Sequence, residues 1–170
     1  MDTGVVDALF SLSATAPTMP TNYAKRRRIG AVLTNSVANI IAFAQSGDLF
    51  VWKDPPFDID DSTLTTAMKT YTISVPGSLN VIALINAIVK HSTAAIRRVY
   101  LPHPGAIDEA PNETAGPGFT IGTSDVAEPV AQLIRLRTST SSDIRARSSG
   151  ASTIFRVATV GWVDRRGRDD

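Results

Sequence analysis

The sequence predicts an all-β fold, an antiparallel β-sandwich of jelly-roll type with an extended N-terminal arm. The first observation is a succession of short apolar runs, each rich in β-branched and aromatic residues. The second is that these runs end at Gly, Pro, Asn or Asp, the residues that favour turns. The third is that no repeat recurs at a period of roughly 20 to 50 residues, which argues against a propeller or a solenoid.

Eight segments have this strand pattern. In chain order they are residues 5–10, 39–43, 48–53, 69–75, 80–88, 96–101, 130–137 and 153–163. The first strand and the Pro- and Thr-rich stretch after it form an N-terminal arm, residues 1–24, because proline disfavours both a helix interior and a central strand. Residues 25–170 form the predicted sandwich domain.

The first strands of the domain form a predicted hairpin. Residues 40–53 supply its two strands, with the turn at residues 45–48. Pro55 and Pro56 end the second strand because a proline ring removes a hydrogen-bond donor. The acidic segment that follows, residues 58–68, is predicted to be a loop.

Alternation of hydrophobicity sets the expected faces of the later strands. Along residues 69–75 the apolar side chains share one face and the hydroxyl-bearing ones share the other. Residues 79–89 fit either a helix or a strand, and their brevity and β neighbours favour a strand. Residues 153–163 are apolar on both faces, with Ile154 and Trp162 expected on the same side. We therefore expect this strand at the centre of a sheet or covered on its second side by another subunit.

Two other segments lack strand periodicity. Residues 102–118 are rich in Pro and Gly and form a predicted surface loop, the kind of segment that carries partner contacts in β frameworks. Residues 138–142 are rich in Ser and Thr and form a predicted linker. The charged tail, residues 164–170, is expected to be exposed.

The composition indicates one globular domain. A chain of 170 residues with 43% hydrophobic and 19% charged content can remove roughly 70% of its unfolded surface from water. The absence of cysteine excludes disulfides and thiolate chemistry. The longest apolar run, residues 81–89, is too short to span a bilayer, and the N-terminus lacks the features of a secretion signal. We expect synthesis in the cytoplasm without membrane insertion.

No group of residues indicates catalysis, so no enzyme activity, cofactor or metal is predicted. His91 and His103 lie in separate segments without metal-ligand spacing, and each is expected to be an exposed loop histidine. Asp58, Asp60 and Asp61 lack the pattern of a calcium loop and indicate a solvated turn. The serines lack a nucleophile-elbow motif, and the glycines lack the pattern of a phosphate-binding loop.

The basic residues are clustered, although the net charge is only +1. Two short runs without interleaved aromatics do not predict nucleic-acid binding. They indicate a solvated face or contacts between subunits. The candidate assembly contacts are Pro17, Pro20, Arg26, Arg27, Arg28, Arg165 and Arg166. The candidate glycan contacts are Trp52, Tyr71 and Tyr100, although a tryptophan in an apolar strand is more typical of a core.

Several strings resemble a recurring pattern of phage and prophage proteins that are commonly labelled tail-fibre or hypothetical virion proteins. They are VDALFSLSATAPTMP at 6–20, KRRRIG at 25–30 after Tyr23, FAQSGDLF at 43–50, YTISVP at 71–76 and GWVDRRGRD at 161–169. This similarity covers nearly the whole chain. Sequences of this kind often continue upstream of residue 2, and we expect a neighbouring subunit or another virion protein to supply any strand that is missing here.

The resemblance implies a structural component of a tailed-phage virion, either a tail fibre or a tail-associated subunit. Its expected partners are copies of itself, with a homotrimer as the first expectation, other virion proteins and a host surface polysaccharide. Two alternatives stay open. One is a capsid decoration or head-fibre protein, and the other is a carbohydrate-binding module.

Overall fold

The computed structural model describes residues 6–91, 96–111, 119–123 and 129–166. These residues form ten strands and no helix, and thus include no helix long and apolar enough to cross a membrane. The strands are β1 (Phe43–Ser46), β2 (Leu49–Trp52), β3 (Phe57–Leu64), β4 (Lys69–Thr72), β5 (Ile82–His91), β6 (Arg97–Leu101), β7 (Phe119–Thr123), β8 (Val130–Arg137), β9 (Asp143–Ser148) and β10 (Thr153–Val163).

The strands form two antiparallel sheets that pack face to face, which confirms the predicted sandwich. The large sheet has the order β1-β2-β10-β5-β8, and β3 also pairs with β10. The small sheet has the order β4-β9-β6-β7. From β3 to β10 the chain therefore gives the orders β3-β10-β5-β8 and β4-β9-β6-β7, which is the eight-stranded winding of a jelly roll. The β1-β2 hairpin extends the large sheet beyond it.

Strand β10 lies at the centre of the large sheet, as its apolar composition predicts. Its whole length pairs with β5, while its other edge pairs first with β3 and then with β2. A register shift between Thr159 and Gly161 interrupts the alternation. Trp162 consequently points into the core with Phe155, and not to the side of Ile154 as strict alternation predicts.

The core between the sheets is apolar and fully enclosed. At one end of the sandwich, Phe50 stacks on Trp162 with 5.0 Å between ring centroids, and Trp52 lies 4.8 Å from the same indole. Phe43 of β1 closes this aromatic cluster at 5.5 Å from Phe50. Trp52 donates its indole N–H to the Ser74 carbonyl oxygen at 3.1 Å. These contacts hold the β1-β2 hairpin over the end of the jelly roll.

The segment before β1 differs from its prediction, and from here on we call its described residues, 6–42, the arm. Residues 6–13 form no strand, so the predicted N-terminal strand is wrong over this range, and residues 1–5 lie outside the described residues. Val6 and Phe10 are 92% and 82% exposed, because no neighbouring strand pairs with the segment despite its alternating pattern. Further along, Leu33 packs against the core, and its carbonyl oxygen accepts a hydrogen bond from the Ile41 N–H at 3.0 Å.

Some of the remaining secondary-structure predictions are confirmed and others are wrong. The hairpin forms with Gly47 at a φ of 59°, which suits its tight turn, and the ambiguous segment at 79–89 is a strand from Ile82 onward. The acidic loop predicted at residues 58–68 is wrong, since most of it is strand β3. Strands β7 and β9 were not predicted, because each is short and holds at most two large apolar residues, which gives a weak strand signal.

The Pro-rich loop is joined to the small sheet along its described part, residues 102–111. Arg145 of β9 donates to the carbonyl oxygens of Pro104 and Ala106, at 3.1 and 2.9 Å. Arg147 forms an ion pair with Asp108 at 2.6 Å. The predicted loop is correct over this range, and residues 112–118 lie outside the described residues.

Candidate functional site

A cleft lies at one end of the large sheet, where four segments of the chain converge. Because β5 is antiparallel to both neighbours, Ile82 at its start pairs with Val163 of β10 and Arg137 of β8. The loop before β5 and the turn after β8 add Asn80 and Thr140. The arm adds Thr15 and Arg28. The cavity has a volume of about 440 Å³ and is open to solvent on one side.

The lining of this cleft is strongly basic, and we call it the basic cleft. Among the described residues that line it, five arginines face one carboxylate, that of Asp164, which leaves a formal excess of four positive charges. The whole chain carries only +1, so the cleft concentrates positive charge well above the average of the molecule. The arginines are Arg28, Arg135, Arg137, Arg165 and Arg166.

Two of these arginines are held by carboxylates inside the chain. Arg28 forms an ion pair of 2.5 Å with Asp164, whose side chain is only 2% exposed. Arg166 donates to the Gly47 carbonyl oxygen at 2.8 Å and lies 3.6 Å from Asp48. The Asp164 carboxylate also accepts the backbone N–H of Arg166 at 2.8 Å. Asp164 thus joins the arm to the end of β10.

Arg135 and Arg137 differ from them. Both extend from the outer face of β8 and are exposed. Within the described part of the chain, neither side chain forms a hydrogen bond or an ion pair. In addition, the buried Nε of Arg166 has no hydrogen-bond partner among the described residues. The cleft therefore presents donors that the chain itself does not satisfy.

The structure brings together three of the predicted assembly contacts and separates the others. Arg28, Arg165 and Arg166 line the basic cleft. The remaining contacts lie along the arm, where Arg26 donates to the Thr15 carbonyl oxygen. Arg27 and Pro20 are exposed, and Pro17 is half-buried. Sequence reasoning did not single out Asp164, Arg135 or Arg137, although the alternation of Arg135 and Arg137 along β8 is visible in the sequence.

The predicted glycan contacts do not form a common surface. Trp52 and Tyr100 are each 3% exposed, so neither ring has a free face on which a sugar could stack. Tyr71 is half-buried, packs 5.9 Å from the ring of Phe155 and donates its hydroxyl to Asp61. For Trp52, burial favours the core alternative that the sequence left open.

The acidic group of β3 has structural partners, which corrects the predicted solvated turn. Asp58 accepts the Ser74 N–H and hydroxyl at 2.9 and 2.7 Å, and it also accepts the hydroxyl of buried Thr159. Asp60 forms an ion pair with Arg156 at 2.7 Å. These contacts join β3 to β10 and to the segment after β4.

Asp61 has the densest set of contacts in this group. Its carboxylate accepts the Tyr71 hydroxyl at 2.6 Å, the Lys69 ammonium at 2.7 Å and the Thr63 N–H at 2.6 Å. Burial alone would raise the pKa of Asp61, but these hydrogen bonds outweigh it and hold that pKa well below its usual range. Burial, followed by the bond to Asp61, raises the pKa of Tyr71 well above its usual value.

The histidines do not form a site. His91 lies in β5 and is 3% exposed, so the prediction of an exposed loop residue is wrong for it. One of its ring nitrogens lies 3.3 Å from the Ala151 carbonyl oxygen. His103 is exposed, and its Nδ1 accepts the Gly105 N–H at 3.1 Å. Among the described residues, no group of three or more metal-ligating side chains comes together.

A second surface lies on the solvent side of the large sheet. Alternate residues of β5 such as Ala83 and Ile85 are completely buried, so the residues between them point outward. The outward side chains of the sheet include aliphatic ones that stay partly accessible, and Leu133 of β8 is 61% exposed. We call this set the outer apolar face: Leu84, Ile88, Leu133, Ile154 and Val160.

Comparison of the chain with protein-family models, with curated proteins and with solved structures finds no match. The resemblance to phage virion proteins therefore stays a sequence-based prediction.

Proposed function

We propose that this chain is a structural subunit of a tailed-phage virion, a tail fibre or tail-associated protein that works by association with copies of itself. A homotrimer is the assembly we expect, in agreement with the resemblance of the sequence to tail-fibre-like proteins. The proposal assigns no catalytic residue to the chain.

The observation that carries the proposal is the outer apolar face. Leu84, Ile88 and Val160 lie in the middle strands of the large sheet, with their side chains on the solvent side. Contact of aliphatic surface with water is unfavourable in free energy. Exposed aliphatic surface is typical of protein contacts, and here it alternates with Asn86, Lys90 and Arg156 on the same outward side of the sheet. Burial of the face against a second copy would remove it from water without any change in the fold.

The topology gives weaker support, by analogy of fold alone. Jelly rolls occur in viral capsid and lectin domains, but one fold serves many functions. The open edges of the sandwich, β1 and β8 in the large sheet, also leave backbone groups available for a neighbour.

Association can be tested on the purified chain by light scattering coupled to size-exclusion chromatography. We expect a mass three times the 18.1 kDa of the single chain. Leu133→Lys places a charge on the outer apolar face at an exposed position, so it should reduce the mass to that of the monomer while the circular dichroism spectrum is unchanged. Thr70→Lys places the same charge on the exposed side of the small sheet and should leave the assembly intact.

A wild-type monomer at high micromolar concentration, or an assembly that Leu133→Lys leaves unchanged, would contradict association through this face. The virion assignment needs a separate test, in which phage particles are labelled with an antibody to this chain and viewed by electron microscopy. Label on the tail supports the proposal. Particles without the chain refute it.

The second candidate function is that of a capsid decoration or head-fibre protein. This protein would belong to the same kind of particle but lie on the capsid. The jelly-roll topology favours it as much as it favours the tail, again by analogy. Label on the capsid faces, with a copy number much higher than that of the tail proteins, would select this alternative.

A further inference from the structure

We propose that the basic cleft is a binding site for a phosphate-bearing ligand, held by Arg135 and Arg137 together with Arg166. The inference depends on the charges and contacts within one chain, and Arg135 and Arg137 lie on the same outward side of β8 as Leu133 of the outer apolar face. It concerns a small anion or the phosphate group of a sugar.

Unsatisfied donors are the first argument. Arg135 and Arg137 are two residues apart on one strand, so their guanidinium groups extend from the same face of β8. Neither has a partner within the described residues, whereas Arg28 in the same cleft is paired with buried Asp164. An arginine fork matches the oxygens of phosphate in a bidentate geometry. A phosphate between the two would supply the acceptors that the chain does not.

The second argument is a buried hydrogen-bond donor without a partner. The Nε of Arg166 is enclosed and has no hydrogen-bond partner among the described residues, although its Nη2 donates to the Gly47 carbonyl oxygen. A buried donor without a partner carries a free-energy cost. An anion in the cleft lowers this cost in two ways. Its negative charge attracts the guanidinium, and an oxygen that reaches the Nε accepts its hydrogen bond.

The size and chemistry of the cleft limit the ligand. A volume of about 440 Å³ is within the range of small-ligand pockets. An excess of four positive charges favours a ligand with more than one negative charge, and a phosphate monoester has close to two near neutral pH. Single-stranded nucleic acid is disfavoured, because none of the described residues that line the cleft is an aromatic on which a base could stack.

The walls of the cleft are fixed in place before any ligand binds. The Ser78 N–H donates to the Thr140 carbonyl oxygen at 2.6 Å, which ties the loop before β5 to the turn after β8. The Arg28–Asp164 pair ties the arm to the end of β10. Such pre-organisation lowers the entropy lost on binding.

The test is titration of the full chain with inorganic pyrophosphate by isothermal calorimetry at low ionic strength. We expect saturable binding that weakens as salt is added. Arg135→Ala combined with Arg137→Ala should weaken it by at least tenfold. Because both side chains are exposed and unpaired, this variant should keep the circular dichroism spectrum and the mass of the wild-type protein.

The matched control is Arg27→Ala combined with Lys53→Ala, which removes the same charge from exposed positions outside the cleft. Its affinity should stay within about twofold of wild type, because neither side chain lines the cleft. No binding of pyrophosphate by the wild-type protein, or an equal loss in the two variants, would overturn the proposal.

The source of the phosphate is distinguished by a second pair of titrations, with glucose 6-phosphate and with glucose. Tighter binding of the sugar phosphate than of pyrophosphate, without binding of glucose, identifies a phosphate carried by a glycan. Equal or weaker binding of the sugar phosphate identifies the free anion. In both cases the amide resonances of Ser78, Asn80 and Thr140 should shift on binding.

Discussion

At the scale of single residues, Gly161 is the position that the fold constrains most. A Cβ at this position would lie 2.1 Å from the Phe50 carbonyl oxygen and 2.9 Å from the Cα of Val51. These are backbone atoms of β2, which pairs with β10 at this point. The close approach of the two strands thus requires glycine, and the adjacent register shift turns Trp162 into the core.

We expect Gly161→Ala to lower the free energy of unfolding by more than about 2 kcal/mol, because the backbone of β2 must move to admit the methyl group. Urea denaturation followed by tryptophan fluorescence measures this change. Gly122→Ala in β7 is the control, since its Cβ would meet only ordinary contacts at 3.7 Å or more. If the two variants were equally stable, the strand spacing described here would be wrong.

At the scale of elements, the attachment of the arm depends on one buried carboxylate. Asp164 follows the last strand, and its side chain accepts both the Arg28 guanidinium and the Arg166 N–H. The pair is largely shielded from solvent, with Arg28 at 19% and Asp164 at 2% exposure. Removal of one partner from such a pair leaves a charge without compensation, which costs more than loss of an exposed pair.

We expect Asp164→Asn to destabilise the protein by about 2 kcal/mol or more and to loosen the arm. Trypsin should then cleave faster after Arg27 and Arg28, as followed by mass spectrometry. Asp60→Asn, which removes an exposed pair with Arg156, should leave the cleavage rate unchanged. Unaltered cleavage in Asp164→Asn would show that the ion pair does not hold the arm.

At the scale of the whole molecule, the cluster around Asp61 joins the two sheets. Asp61 belongs to β3 of the large sheet, whereas Lys69 and Tyr71 belong to β4 of the small sheet. Because the pKa of Asp61 is lowered in the folded state, the unfolded chain binds a proton there at a higher pH than the folded chain does. The stabilisation is complete above the ordinary pKa of about 3.9 and is lost as the pH falls toward the folded pKa.

We therefore expect the wild-type protein to lose stability steadily between about pH 5 and pH 2, and Asp61→Asn to lose less over the same interval. Thermal unfolding at a series of pH values measures both slopes. Asp61→Asn should also be less stable than wild type at pH 7, since it removes the ionised acceptor of Lys69 and Tyr71. Identical slopes in the two proteins would contradict a lowered pKa at Asp61.

Much of the fold follows from local pattern, and the candidate site does not. Turn residues and alternation predict the first hairpin, the strand at residues 79–89 and the central strand β10, because each is decided by neighbours along the chain. The same pattern fails at residues 6–13, where no described strand pairs with the segment, and at residues 58–68, where Asp58, Asp60 and Asp61 have partners outside β3.

The sequence by itself determined the all-β class, the positions of most strands and the absence of disulfide and thiolate chemistry. Only the tertiary structure decided the jelly-roll order, the buried state of Trp52, Tyr100 and His91, and the meeting of distant arginines in the basic cleft. The physical reason is the sequence separation over which each interaction acts. Turn chemistry and burial periodicity act over a few residues, whereas the cleft joins Arg28 to Asp164 across 136 positions, and such a contact exists only once the sheets have closed.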